Sequence, residues 1–109
     1  MAVVVNTSGS QTAVITTEHT LATIATPGVF VLAVDASALV AGDVVELRIY
    51  GKARTGDTER LLHRGTYGPI ALASPLVMSV PIISPHYYKA TLKQTAGTGR
   101  AFPWAVYET

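Results

Sequence analysis

Residues 43–54 read DVVELRIYGKAR, with Val45, Leu47, Ile49, Gly51 and Ala53 alternating with Glu46, Arg48, Tyr50, Lys52 and Arg54. A helix advances about 100° per residue and would scatter the two sets around its axis, whereas a pleated strand sends them to opposite faces. The stretch therefore predicts a half-buried strand with Val45, Leu47 and Ile49 in the core. Gly56-Asp57 supplies a turn and RLLHRGTY a second β-type run, so a hairpin is expected over 44–67.

The rest of the chain is read in the same way. QTAVITTEHTLATIA, at 11–25, holds one or two strands, and Pro27-Gly28 then turns the chain into VFVLAVD at 29–35. That continuous apolar run suits a strand covered on both faces. DASALVAGD, at 35–43, offers at most one short helical turn near 35–42, with Asp35 or Ser37 as cap and Gly42 as stop. The proline-rich apolar segment at 69–85 is strand material broken by turns. Near the end, YYKATLKQT and RAFPWAVYE flank a corner of Ala-Gly-Thr-Gly, where Gly97 and Gly99 permit positive φ. Leu92, Phe102, Trp104 and Val106 are expected in the core, and Pro103 places the last strand at an edge or at a bulge. Turn signals recur about every 8–12 residues, which predicts a single all-β domain over 11–109, an antiparallel β-sandwich or β-barrel of about 7–8 strands. Residues 1–10 read as a flexible or partner-bound N-terminal arm.

Composition narrows the function classes. Eight basic and seven acidic residues leave a net charge of +1, so no strong field draws in nucleic acid or an anionic membrane, and neither is expected as a partner. The start has no basic residue ahead of its short apolar run and does not read as a secretory signal. Cysteine is absent, which removes disulfides, thiolate nucleophiles and cysteine-based zinc sites. Charged residues make up 14% of the chain against about 25% in an ordinary soluble domain. Homo-oligomerisation or attachment to a larger assembly accounts for that deficit, because interface cores are poor in charge; a Thr/Ser-rich neutral surface is the plainer alternative.

Catalytic and cofactor chemistry find little support. Gly97-Thr98-Gly99-Arg100 lacks the spacing of a phosphate-binding loop and leads into a strand rather than a helix. His19, His63 and His86 show no ligand spacing, and Asp35 and Asp43 suit caps and turns better than calcium. No G-x-S-x-G elbow occurs, and the carboxylate pair Glu46 and Glu59 is explained by neighbouring arginines. No enzyme activity, cofactor or metal is expected. Arg48, Lys52, Arg54, Arg60 and Arg64 lie within a span of 17 residues in and around the predicted hairpin. With Tyr50 they form either a solvated face or a docking face for an acidic partner. Tyr87, Tyr88 and Tyr107 could instead serve as a sugar-binding platform, with buried or edge tyrosines as the common outcome.

Three motifs carry a resemblance: E-H-T-L at 18–21, D-x-S-x-L-x-x-G-D at 35–43 followed by V-E-L-R-I, and T-L-K-Q-T-A-G-T-G-R at 91–100. The stretches that contain them, 16–49 and 89–108, cover about half the chain and resemble small virion proteins of tailed bacteriophages. In size and β character the chain is most similar to a capsid decoration, or cement, protein. The resemblance implies a protein made in the host cytoplasm and carried on the capsid surface in many copies. Its partners would be the major capsid protein and itself, as a trimer in preference to a dimer. The alternatives are a neck or tail component of such a phage and, from another class, a carbohydrate-binding β-sandwich.

Overall fold

A computed structural model describes residues 3–68 and 75–109. Nine strands are formed among them: β1 (Val4–Thr12), β2 (Glu18–Ile24), β3 (Gly28–Asp35), β4 (Val44–Gly51), β5 (Arg60–Tyr67), β6 (Leu76–Met78), β7 (Ile82–Ser84), β8 (Tyr88–Ala96) and β9 (Ala101–Glu108). All pairings are antiparallel. They build two sheets and no closed barrel: sheet A in the order β1-β9-β3-β6, with β7 also on β3, and sheet B in the order β2-β8-β4-β5. The fold is thus all-β with more strands than the sequence spacing suggests. The proline-broken segment contributes short β6 and β7, and β1 arises from residues expected to form an arm. Part of that apolar segment, 69–74, lies outside the described residues.

The alternation at 43–54 is realised in β4, where Val45, Leu47, Ile49 and Gly51 are buried and the intervening side chains half-buried. Ala53 lies past the strand end and is exposed. The inner faces of both sheets meet in one core that includes Phe30, Leu32, Val34, Leu47, Ile49, Leu92, Phe102 and Val106. Phe30 and Tyr88 pack ring against ring, with centroids 5.0 Å apart at a tilt of 42°. Each such fully buried side chain stabilises the fold by roughly 1.5–3 kcal/mol relative to exposure. Trp104 is only partly buried; it packs against the core beside Val34 and spreads over Gly9 of β1, whose missing Cβ leaves it room.

Two expectations change, and the segment near 35–42, expected to hold at most one short helical turn, takes the form of turns. Residues 35–43 form no helix: Asp35 Oδ1 accepts the Ser37 N–H, and two successive i to i+3 turns follow, Leu39 to Ala36 and Asp43 to Val40, the second using Gly42 at φ +92°. The eight residues 36–43, between strands of opposite sheets, are spanned by two turns rather than by a helix. The last strand, β9, is not at an edge but between β1 and β3. Its ladder to β3 ends at Trp104, so beyond that point Pro103 is paired only with Ser10 of β1. Most of the expected N-terminal arm is β1, held along β9 from Val4↔Glu108 to Thr12↔Ala101 with a bulge at Asn6.

Candidate functional site

The resemblance motifs converge in space, and what they build is an internal clamp. Asp43, at the end of the first long motif, is 2 % exposed. Its carboxylate accepts from Arg100 Nε at 2.7 Å, from the Val40 N–H at 2.9 Å and from the Thr98 N–H at 3.2 Å. These partners, the Arg100 hydrogen bond foremost, hold its carboxyl below the usual range. Gly97, at φ +91°, lies so close that a Cβ there would overlap Asp43 Oδ1, and a Cβ on Gly99 would overlap the Ala13 carbonyl. Gln94, fully buried, donates to the Ala96 and Thr98 carbonyls and accepts the Arg100 N–H at 3.0 Å. The glycine loop does cradle an anion, and the anion is the chain's own carboxylate. The E-H-T-L motif is structural as well. Glu18 accepts from Thr91 and Tyr50, and His19 Nε2 accepts the Val14 N–H at 3.0 Å.

The outer face of sheet B holds most of the basic residues singled out from the sequence. Arg48 sits opposite Thr91 on one side and Arg64 on the other, with Tyr50 beside Lys89 and Leu61. Arg48 is bonded to Glu46 and, at 3.4 Å, to Glu18. Burial alone would raise the Glu18 carboxyl, but Thr91, Tyr50 and the Arg48 charge bring it below its ordinary value. Lys52 stands 4.3 Å from the centre of the Tyr87 ring, and Arg54 grips Asp57 within the β4–β5 loop. Glu59, in turn, binds Tyr87 at 2.5 Å and Lys89 at 2.8 Å. Arg48 and Arg54 are thus ion-paired within the chain and Lys52 lies against a ring, while Arg60 and Arg64 are exposed on β5 with no ion pair among the described residues.

The candidate catalytic and sugar-binding groups do not assemble. Glu46 is committed to Arg48 and Glu59 to Tyr87 and Lys89. Tyr88 is fully buried in the core, Tyr87 is tied down by Glu59, and Tyr107 is on the outer face of sheet A, so no platform of three tyrosines exists. A cleft of about 450 Å³ by the β4–β5 loop is lined by Ala53, Arg54, Gly56, Asp57, Thr58 and Arg60, with Arg54 and Asp57 bound to each other. Among the described residues no group of three or more His, Asp or Glu is placed to hold a metal ion.

Sequence reasoning missed a different surface, the outer face of sheet A. Residues paired across neighbouring strands share a face. Opposite the core-facing Phe30, Leu32 and Val34, strand β3 therefore turns Val29, Val31, Ala33 and Asp35 outward. Ile83 flanks Val29, Met78 and Ala105 flank Ala33, and Leu76 flanks Asp35. Tyr107 and Val5 continue the face toward β1. Asp35 is the one charged side chain these pairings place there. Ile83 is 80% exposed, Leu76 54% and Met78 50%. A signal for it was present: the unbroken apolar run of β3 suits a strand covered on both faces, and the described residues cover only one.

Comparison with protein-family models, with curated proteins and with solved structures gives no match to this chain.

Proposed function

We propose that this chain is a non-enzymatic β-sandwich module that docks through the outer face of sheet A onto a larger assembly. The observation that carries the reading is the contrast between the two outer faces. Sheet B meets solvent with charged side chains, Arg48 and Lys89 among them ion-paired within the chain, while sheet A presents Val31, Leu76, Met78, Tyr107 and Ile83 around one carboxylate. Isolated soluble domains rarely leave a contiguous apolar face open, and such faces mark contacts with other macromolecules. The low charge content points the same way.

The motif resemblance supplies the assembly: the outer surface of a tailed-phage capsid, which the chain would stabilise by binding the assembled shell in many copies. The test is rebinding of purified protein to capsids stripped of it. Substituting Leu76, Met78 and Ile83 with glutamate should abolish decoration with the fold intact. Replacing Arg48, Lys52 and Arg54 with glutamate should leave decoration within a few-fold of normal. The reverse pattern would move the docking face to sheet B, and binding to isolated tails but not to heads would favour the neck or tail alternative.

A further inference from the structure

Strand β1 is an unguarded edge. It is nine residues long and, among the described residues, pairs on one side only, with β9. Its sequence, VVNTSGSQT, holds no charge and no proline, and most of its side chains are exposed on both faces. An edge of this kind leaves a row of backbone donors and acceptors as a template for another strand, and soluble proteins ordinarily block it with lysine, proline, shortness or a bulge. The bulge at Asn6 interrupts only its beginning; from Thr7 to Thr12 the register with β9 is regular.

The other edges are guarded. β5 carries Arg60 and Arg64, which would meet their own copies if it paired with itself. β2 carries Glu18 and a bulge near Leu21. β6 and β7 have three residues each, with Pro75, Pro81 and Pro85 around them.

We infer that β1 pairs antiparallel with β1 of a second copy, joining two sheets A across a two-fold axis near Gly9. The neutral segment Thr7–Gln11 meets itself without like-charge repulsion, and self-pairing of one edge is by nature a closed, two-fold contact. A ring of three would need β1 to meet a different edge of the next copy, where charge, bulge or proline stands in the way. The pairing also makes the outer faces of the two sheets A continuous, doubling the apolar surface. The inference concerns the chain alone and stands apart from the capsid reading.

The absence of cysteine makes the test clean. Ser8 and Ser10 share the outer face of β1, opposite Ala105 and Pro103. Directly opposed residues of an antiparallel pair have Cα atoms about 4.5–5.5 Å apart, within disulfide reach. Ser8→Cys and Ser10→Cys, alone and mixed one to one, should give a disulfide-linked dimer under mild oxidation in at least one combination. Ser37→Cys, in the exposed β3–β4 turn, should stay unlinked. In light scattering the unmodified chain should show twice its monomer mass, and Ser8→Lys with Ser10→Lys should return it to a folded monomer by circular dichroism. Glutamate at Met78 and Ile83 should leave the dimer in place. A monomeric unmodified chain, a dimer that survives both lysines, or cross-linking no better at β1 than at Ser37 would overturn the inference.

Discussion

Arg100 Nε donates to Asp43 Oδ2 at 2.7 Å across 57 positions of the chain, joining the turn before β4 to the corner between β8 and β9. Four carboxyls are held below their ordinary values by their partners: Asp43 by Arg100, Glu59 by Lys89, Asp35 by Ser37, and Glu18 by Thr91 and Tyr50 against the effect of burial. A depressed folded pKa contributes stability that is complete above the unfolded value, about 4, and is lost as pH falls through the folded value below it. The urea midpoint should therefore be flat from neutral pH down to about 5 and fall steeply below 4. Asp43→Asn should lower the midpoint at neutral pH and shallow the acid slope; an unchanged slope would show that Asp43 is not among the groups responsible.

Glycine positions on the two hairpin corners should differ in tolerance. Gly56 has φ +90° with open space around it, so Gly56→Ala should cost about 1–2 kcal/mol from backbone strain alone. Gly97 has φ +91° and Asp43 against it, so Gly97→Ala should cost roughly 2–5 kcal/mol. Denaturant titration of the two variants measures the difference, and equal costs would mean that Asp43 yields freely.

How legible these features were in the sequence depends on what created them. The period of two at Val45–Gly51 could be read directly, because strand alternation is a local property. The edge inferred from Pro103 was misplaced, because which strands flank β9 is decided by long-range pairing, and the β3 ladder stops at Trp104. The role of Asp43 was hidden for the same reason: its partners Thr98 and Arg100 are remote in sequence, and nothing near Asp43 announces them. The basic hairpin drew attention because its cations are clustered in sequence, yet Glu18 and Lys89, from other strands, complete its charge network. The apolar face of sheet A was hidden differently. Its residues come one or two at a time from β3, β6, β7 and β9, and only the strand order brings them together.

Two core aromatics should respond in opposite ways. Phe102 is fully buried, and Phe102→Ala should cost about 3–5 kcal/mol, a large share of the 5–15 kcal/mol typical of a domain. The Tyr88 hydroxyl, also buried, has no hydrogen-bond partner among the described residues, and burial pushes its pKa up. Tyr88→Phe removes a desolvated hydroxyl and keeps the ring against Phe30, so it should leave the thermal midpoint unchanged or raise it. A loss above about 1 kcal/mol would show that the hydroxyl is hydrogen-bonded in solution.

Glu59 joins the end of the β4–β5 loop to β8, accepting from Tyr87 at 2.5 Å and Lys89 at 2.8 Å. Its side chain is 30% exposed and that of Lys89 22%, so solvent screens the ion pair. Glu59→Gln should therefore cost no more than about 1 kcal/mol of global stability. The local effect should be clearer. Hydrogen bonding to the Glu59 carboxylate raises the Tyr87 phenol above its ordinary value, because ionising the phenol removes its proton from that bond and sets two anions side by side. Neutralising Glu59 should bring the Tyr87 pKa down toward 10, followed by NMR titration of its ring resonances. The amides of 52–59 should exchange faster with solvent, since the loop keeps its Arg54–Asp57 contact but loses its anchor to β8. An unmoved Tyr87 titration would mean that the loop is held by Lys52 over the Tyr87 ring and not by Glu59.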